Sequence, residues 1–185
     1  SRHFTNDDPL DEWLPFSIQT TVPENAATAR AKLVYFQDDS TDGSNTYYPG
    51  SVYFDDIHVE YNYLTNPGFE SGAVDWNWTN ANQSVVDDAG FMGNHSSKNW
   101  GGYYNAWEGN WTTTEQWINT TADEGDKVRM SGYMMSMSSD SIRGGSYAYL
   151  EVTFYDADSN HLGNDFNVGS GQLNDSSPLD EWHYF

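Results

Sequence analysis

Residues 145–158 read GSYAYLEVTFYDAD, and polar or aromatic side chains alternate there with small or aliphatic ones. The even-numbered positions from 148 to 154 hold Ala, Leu, Val and Phe, whereas the odd-numbered positions from 147 to 155 hold Tyr, Tyr, Glu, Thr and Tyr. Side chains of a β-strand point alternately to the two faces of its sheet. This stretch therefore predicts a strand with one face in a core and one face outside it.

The same period of two recurs elsewhere in the chain. Residues 28–36 place Ala, Ala, Leu and Tyr on one face, and residues 51–60 and 127–137 also have the composition of strands. Clusters such as Asp-Gly, Asn-Pro-Gly and Gly-Gly, which favour turns, separate these segments. No stretch of a dozen residues has the capping residues and periodicity of a helix. We therefore predict an all-β protein, an antiparallel β-sandwich.

The composition supplies a core and excludes several classes of function. The chain has 8 Trp, 13 Tyr and 9 Phe, and each of these side chains can bury a large area. A formal net charge of −21 repels nucleic acid, and no run of apolar residues is long enough to span a membrane. The absence of cysteine excludes disulfides and thiolate metal sites, whereas abundant carboxylates suit hard cations such as Ca²⁺.

One short sequence occurs twice in the chain. Residues 9–16 read PLDEWLPF and residues 178–185 read PLDEWHYF, so the two copies lie 169 residues apart. That period is the size of a whole domain, not of a short solenoid repeat. The repeat predicts that residues 1–60 are the closing strands of one β-sandwich module. Residues 61–185 would then be the opening and central strands of the next module.

Two segments resemble carbohydrate-binding modules of the family 4, 9 and 22 type. Residues 61–72, YNYLTNPGFESG, are similar to the opening strand of these modules, and residues 50–59, GSVYFDDIHV, are similar to their closing strand. Residues 13–36 resemble the late strands, so the resemblance covers nearly the whole chain, but in permuted order. It implies a jelly-roll sandwich that is often secreted, often holds a structural calcium ion and is not itself catalytic.

The permuted order has three interpretations. Residues 1–60 fold back onto residues 61–185, or the chain is a piece of a tandem array, or residues 1–60 complete the sandwich of a neighbouring copy. The joint at residues 58–63, HVEYNY, has no Gly or Pro for a tight hairpin, which favours a chain that passes from one sandwich into the next. The open edges of an incomplete sandwich can accept strands of another copy. Because head-to-tail donation does not close, it would produce a filament.

The resemblance also implies a calcium site. In the resembling modules, a glutamate after the Asn-Pro-Gly-Phe turn and an aspartate in the closing strand help to hold the ion, and the matching residues are Glu70 and Asp55 or Asp56. Two carboxylates that meet inside a sandwich repel each other unless a cation lies between them. The alternative is a solvated pair of acids at strand ends. Residues 156–160 begin like a calcium loop, but His161 stands where such a loop has glycine, so they are predicted to form a hairpin turn.

Residues 76–117 are rich in aromatic side chains, which can stack on the apolar faces of sugars while polar neighbours form hydrogen bonds. Rings beside Gly and Asn are predicted to be exposed, whereas Trp100 and Trp117, in strand-like contexts, are predicted to lie in the core. The alternative is that all these rings fill a core poor in Leu and Ile. The predicted carbohydrate-binding residues are Trp76, Trp78, Tyr103, Tyr104, Trp107 and Trp111.

Six Asn-X-Ser/Thr sequons follow residue 61. Six is a mild excess over the number that the content of Asn, Ser and Thr produces by chance, so composition is the alternative explanation. If the sequons are used, the surface around them carries glycans instead of binding them. The predicted glycosylation sites are Asn77, Asn82, Asn94, Asn110, Asn119 and Asn174.

Catalysis has no comparable signal in the sequence. The carboxylates show no paired spacing on a defined scaffold, and the five histidines lack the spacing of a metal site such as His-Glu-X-X-His. We therefore predict a non-catalytic structural protein, extracellular and either secreted or on the cell surface. Copies of this chain are its predicted partners, joined into a filament or tandem array by shared strands. The alternative is a polysaccharide-binding module of a larger secreted carbohydrate-active enzyme.

Overall fold

The computed structural model of the chain is built from β-strands and the loops between them. It describes residues 4–38, 50–60, 64–79, 83–86, 89–101, 111–142, 144–162 and 168–169. In these ranges, the only helical structure is one short 3₁₀ turn at Ser138–Asp140. No helix in the same ranges is long and apolar enough to cross a membrane.

Eleven strands follow one another along the described part of the chain. They are β1 (Phe4–Thr5), β2 (Leu14–Thr21), β3 (Thr28–Phe36), β4 (Ser51–Val59), β5 (Asn77–Thr79), β6 (Gln83–Val86), β7 (Ser96–Trp100), β8 (Trp111–Asn119), β9 (Lys127–Met135), β10 (Tyr147–Tyr155) and β11 (Val168–Gly169). The segments predicted to be strands are observed as β3, β4, β9 and β10, each with ends within a few residues of the predicted ones.

The strands form two antiparallel sheets. Sheet A has the order β1-β10-β3-β8-β5, with β11 also paired to β10, and sheet B has the order β2-β9-β4-β7-β6. The first four strands pair with later strands in nested order, and successive pairs alternate between the sheets. These pairs are β1 with β10 and β3 with β8 in sheet A, and β2 with β9 and β4 with β7 in sheet B. Nested pairs that alternate between two sheets are the winding of a jelly roll. The predicted fold class is therefore confirmed.

The core lies between the two sheets and is made by the alternating positions that the sequence singled out. Leu33 of β3 and Leu150 of β10 face it from sheet A, and Phe54 of β4 and Met130 of β9 face it from sheet B; all four are fully buried. Burial of one such side chain stabilises the fold by about 1.5–3 kcal/mol relative to its exposure. The aliphatic face of each strand thus holds the sheets together.

The core also contains polar side chains, which bond to one another. The Asn99 side-chain amide donates to the backbone carbonyl of Leu33 over 3.1 Å, and its oxygen accepts from the Thr114 hydroxyl over 2.9 Å and from the Ser97 hydroxyl over 3.2 Å. A buried polar group that has such partners avoids the cost of desolvation without compensation. This network ties β7 of sheet B to β3 and β8 of sheet A.

Two strands of residues 1–60, β3 and β4, lie in the interior of the sheets, whereas β1 and β2 lie at their edges. β3 pairs along its whole length with β10 on one side and β8 on the other. β4 lies between β7, which it meets over Ser51–Phe54, and β9, which it meets on both sides of a register shift between Asp55 and His58. In this structure β3 and β4 pair with strands of residues 61–185, which is the arrangement that the first of the three interpretations describes. The sharing of these strands between copies stays a prediction that this pairing does not require.

The acidic segment at residues 156–160 forms the predicted turn. The Asp156 amide donates to the carbonyl of Asn160 over 3.0 Å, and the Asp156 carboxylate accepts from the amides of Asp158 and Asn160. Tyr155 and His161 then form an antiparallel bridge on either side of the turn. The carboxylate is therefore used to close a hairpin, in agreement with the prediction. Hydrogen bonds from the side chain of Asn160, from its amide and from the amide of Asp158 lower the pKa of Asp156 below its ordinary value.

Candidate functional site

One end of the outer face of sheet A is covered by aromatic rings. Tyr147 of β10, Phe36 of β3 and Trp111 of β8 are neighbours across the three strands because they occupy one register row. The ring of Phe36 lies 4.6 Å from that of Trp111 and 4.9 Å from that of Tyr147, between centroids. Tyr149 extends the group along β10, with its ring 6.1 Å from that of Trp111. The four rings form a contiguous apolar surface.

The two tyrosines of this group remain uncharged donors over a wide pH range. Burial raises the pKa of both phenols above the ordinary value, and the charge of the neighbouring Glu151 adds to the shift at Tyr149. A neutral phenol can donate and accept a hydrogen bond, whereas a phenolate can only accept. This end of the sheet therefore combines flat apolar rings with hydroxyl groups.

A row of charged side chains crosses the middle of the same face. The Lys32 ammonium donates to the Glu151 carboxylate over 2.7 Å, and the Arg30 guanidinium donates to the Glu115 carboxylate over 3.1 Å. Glu115 and Glu151 both lie opposite Lys32 in register, one on each neighbouring strand. Because each acid has a basic partner, the row carries no net charge. It presents polar groups between two apolar ends.

A second aromatic group lies at the far end of the face. The Arg30 guanidinium carbon lies 4.0 Å from the centroid of the Trp117 ring and 5.0 Å from that of the Tyr155 ring. Cation–π contacts of this kind stabilise the position of both rings. Trp111 and Trp117 are six residues apart on the same strand, so the face extends about 20 Å between them. We call this surface the aromatic face and define it by Phe36, Trp111, Trp117, Tyr147, Tyr149 and Tyr155.

The structure confirms the predicted exposure of some tryptophans and contradicts that of others. Trp111 and Trp78 are 37% and 42% exposed, as predicted. Trp76 is only 5% exposed, since its ring packs on Phe69 and its indole N–H donates to the carbonyl of Asn66, so its predicted exposure is wrong. Trp117, predicted to lie in the core, is 42% exposed. Tyr103, Tyr104 and Trp107 lie outside the described residues.

Most residues of the aromatic face were not among the predicted binding residues. Tyr147, Tyr149 and Tyr155 occupy the odd-numbered positions of the strand at residues 145–158, so their common face was visible in the sequence. What the sequence did not show is that β3 and β8 place Phe36, Trp111 and Trp117 beside them. Aromatic residues on the polar side of an alternating strand are the signal that would have found this face.

A second group of interest is the buried carboxylate of Asp55 in β4. It is fully buried and accepts hydrogen bonds from the backbone amides of Asp56 and Phe91, both over 2.6 Å, and of Met92 over 3.0 Å. Burial raises the pKa of this carboxyl group above its ordinary value, although the three amides act in the opposite direction. A positive charge nearby would stabilise the ionised form.

Glu70 holds the same loop from its other end. Its Oε1 accepts from the amides of Asn94 and His95 over 2.9 and 2.8 Å, and these bonds, mainly those of His95, lower the pKa of the carboxyl group. A Cβ atom at Gly93, where φ is +100°, would lie 2.4 Å from Glu70 Oε1. Only glycine therefore allows the loop to approach this carboxylate. Asp55 and Glu70 together bind the backbone of residues 91–95.

The third predicted calcium ligand is directed elsewhere. The Asp56 carboxylate lies 2.8 Å from the Nε2 atom of His58, at the surface. The Ser96 hydroxyl, by contrast, is buried and has no hydrogen-bond partner in the described part of the chain. Ser96 precedes Ser97, which forms with Phe54 the last register pair between β4 and β7, and Asp55 follows Phe54 at this end of the ladder. A buried hydroxyl and a buried carboxylate at the same end of a ladder fit a small hard cation.

Carboxylates and histidines alone do not complete such a site. Among the described residues, no three or more Asp, Glu or His side chains form a group that could hold a metal ion. Calcium takes six to eight oxygen ligands, which include backbone carbonyls and hydroxyls as well as carboxylates. Asp55, Glu70 and Ser96 would thus be the side-chain ligands, and the loop between them would supply the remaining oxygens.

The sequons that the structure describes are on the surface. Asn77, Asn94 and Asn119 are exposed, and Asn77 and Asn119 flank the aromatic face on β5 and at the end of β8. Asn82, Asn110 and Asn174 lie outside the described residues. Occupancy of the sequons stays a prediction.

Comparison of this chain with protein-family models, with curated proteins and with solved structures finds no match. The resemblance to carbohydrate-binding modules therefore stays a prediction that depends on the quoted residues and on the geometry of the two surfaces above.

Proposed function

We propose that this protein binds a neutral polysaccharide along the aromatic face of sheet A. The observation that carries the proposal is the row of rings at each end of that face, with paired charges between them. Flat rings stack on the apolar faces of sugar rings, and the flanking phenols, carboxylates and ammonium groups bond to sugar hydroxyls. A length of about 20 Å between Trp111 and Trp117 accommodates several linked sugars.

The charge of the protein supports a neutral ligand. The chain has a formal net charge of −21, whereas the charged row of the aromatic face pairs each acid with a base. Polysaccharides that carry carboxylates or sulfates would be repelled by the protein as a whole. An uncharged glycan meets no such barrier. A secreted or cell-surface location would bring the protein to such a ligand.

The same face argues for binding without catalysis. A glycoside hydrolase needs one carboxylic acid that donates a proton and one carboxylate that acts as base or nucleophile. Glu115 and Glu151 are the acids of this face, and each is bonded to a basic side chain. Both carboxylates are thus engaged with neighbouring strands of the sheet. We therefore propose a binding module and not an enzyme.

Replacing Trp111 or Trp117 with alanine is expected to weaken binding to neutral polysaccharides by about 2 kcal/mol, roughly 30-fold in Kd. Each change removes a ring that would stack on the ligand, and both rings are exposed, so the fold should survive. Affinity electrophoresis through gels that contain glucans, xylan or mannan measures the effect, with pectate and alginate as charged counterparts.

Trp78→Ala is the matched control, because Trp78 is as exposed as Trp117 but pairs with Thr114, which faces the core. Its side chain therefore belongs to the opposite side of the sheet, and its loss should leave retardation unchanged. Retardation by none of the neutral polysaccharides would refute the proposed function. Loss of binding in Trp78→Ala alone would place the site elsewhere.

We also propose that Asp55 and Glu70 hold a structural Ca²⁺, with Ser96 as a further ligand. The support is the buried Asp55 carboxylate, the buried Ser96 hydroxyl, which has no partner among the described residues, and the glycine that lets the loop approach Glu70. The ion would supply positive charge where burial disfavours the ionised carboxylate, and it would bind the loop of residues 91–95 to β4. It would stabilise the fold and take no part in ligand binding.

Removal of calcium with EDTA is expected to lower the thermal midpoint. An ion present at about 100 times its Kd stabilises the folded state by about 2.7 kcal/mol. Mg²⁺ at the same concentration controls for screening of the acidic surface, and Glu70→Gln should remove the response to Ca²⁺. Equal midpoints in EDTA, Mg²⁺ and Ca²⁺ would show that no such ion binds.

A further inference from the structure

The segment at residues 9–16 lies at the edge of sheet B, where its last three residues begin β2. The Asp11 amide donates to the carbonyl of Ser136 over 2.8 Å, and the Asp11 carboxylate accepts from the amide of Ser138 over 2.7 Å. Asp11 adopts φ +60°, a conformation that Asp and Asn tolerate better than most residues. One residue thus satisfies two backbone groups of the loop that follows β9.

Two aromatic residues complete this contact. The Trp13 ring packs edge-on against Phe91 at 6.2 Å, and Phe91 in turn stacks on Tyr133 of β9 at 3.6 Å. Phe16 is 3% exposed and lies in the core, opposite Gly132 of β9. Three residues of the segment therefore make these contacts. Asp11 bonds to the loop after β9, Trp13 packs against Phe91, and Phe16 packs in the core.

All three of these positions recur in the second copy of the sequence. Residues 178–185 have Asp180, Trp182 and Phe185 at the positions of Asp11, Trp13 and Phe16. The copies differ only at positions 14 and 15, where Leu14 is half-buried and Pro15 is exposed. The residue types of Asp11, Trp13 and Phe16 are thus kept in the second copy, whereas Leu14, which packs against the core, is replaced by His183.

One sandwich contains one such docking site. Every strand from β2 to β11 lies within residues 14–169, which is less than one period of the repeat. Residues 9–16 occupy the site formed by Ser136, Ser138 and Phe91. The chain therefore has two docking segments and one described place for them.

We propose that residues 178–185 seat on this site of a second copy of the sandwich, in place of its residues 9–16. The contacts of Asp11, Trp13 and Phe16 would be exchanged for the same contacts of Asp180, Trp182 and Phe185, as in domain swapping, and the packing of Leu14 would be lost. Because residues 9–16 are tethered next to their own site, they have the advantage of effective concentration, and exchange grows with protein concentration. Since donor and acceptor surfaces differ, successive copies would link head to tail. This inference does not depend on sugar binding.

The absence of cysteine permits a direct test by disulfide cross-linking. The double variant Ser138→Cys, Asp180→Cys should form covalent dimers and larger species on oxidation at high protein concentration, seen in non-reducing gels. Ser138 is exposed, so its replacement should preserve the fold. The double variant Ser138→Cys, Asp11→Cys should instead form a disulfide within one chain, which verifies the geometry of the site.

The matched control is Ser138→Cys, Asp175→Cys, in which the second thiol lies just outside the repeated sequence. We expect several-fold more covalent multimers from the Asp180 variant than from this control. Addition of Asp11→Ala should increase the yield further, because it weakens the resident segment. Equal yields from the Asp180 and Asp175 variants would overturn the proposal. A disulfide confined to single chains in the Asp180 variant would overturn it as well.

Discussion

Leu33→Ala is expected to lower the free energy of unfolding by about 3 kcal/mol, because removal of a buried leucine side chain costs its transfer energy and leaves a cavity. Leu33 lies in the middle of β3 and is fully buried between the two sheets. Urea unfolding followed by tryptophan fluorescence measures the change. Since β3 is an interior strand of its own chain, the loss should be the same at every protein concentration.

Leu10→Ala is the matched control, because Leu10 is 39% exposed and its replacement should cost less than about 0.5 kcal/mol. A loss at Leu33 that shrinks as protein concentration rises would contradict the pairing of β3 within the chain. Such a result would support the interpretation in which residues 1–60 complete a neighbouring sandwich, since stability would then depend on association.

Asp55→Ala is expected to destabilise the protein by about 3 kcal/mol in the presence of EDTA. The change removes the acceptor of three backbone amides, and hydrogen bonds to charged groups contribute about 1.5–3 kcal/mol each. Part of this is offset because a buried charge is also removed. EDTA is included so that the measured change in the free energy of unfolding contains no contribution from the loss of a bound ion. Urea unfolding again gives the free energy.

The pH dependence of this effect follows from the raised pKa of Asp55. A carboxyl group with a higher pKa in the folded than in the unfolded state favours folding when it is protonated. The difference between the wild-type protein and Asp55→Ala should therefore be largest below the ordinary value of 3.8. This difference in the free energy of unfolding should fall as the pH rises through the pKa that Asp55 has in the folded state. At higher pH it should stay constant.

Asp56→Asn controls for the loss of a carboxylate next to the site. Asp56 has φ +51°, which asparagine also tolerates, and its side chain bonds only to exposed His58 in the described contacts. Its replacement should change stability by less than about 0.5 kcal/mol. Equal losses at both positions would mean that the buried carboxylate does not hold the loop of residues 91–95.

Much of the fold could be predicted because its signals are local. The alternation at residues 145–158 and 28–36 reflects the pleat of each strand, and a pleat needs no partner to be visible in a sequence. Turn residues bound the strands for the same reason. The pairing of β3 with β8 and β10 was not visible, because it depends on the packing of segments about a hundred residues apart.

The candidate sites were predicted less well. Asp55 and Glu70 were identified by resemblance, and the structure brings both to the loop of residues 91–95, but it turns Asp56 to the surface. The exposure of Trp76 and Trp117 was predicted from their immediate neighbours, and both predictions were wrong. Phe69, a short distance along the chain, covers Trp76, whereas the strands that flank Trp117 leave its outer side open.

The amino-acid sequence alone was sufficient to establish strands, turns, a sandwich and the exclusion of disulfides, since each follows from composition or from a period of two. Tertiary structure decided which side of each strand faces a partner sheet and which rings gather on the outside of sheet A. The physical reason is that alternation separates two faces without saying which neighbours each will meet. Those neighbours are supplied by strands remote in sequence, and only their packing brings Trp111, Phe36 and Tyr147 into one surface.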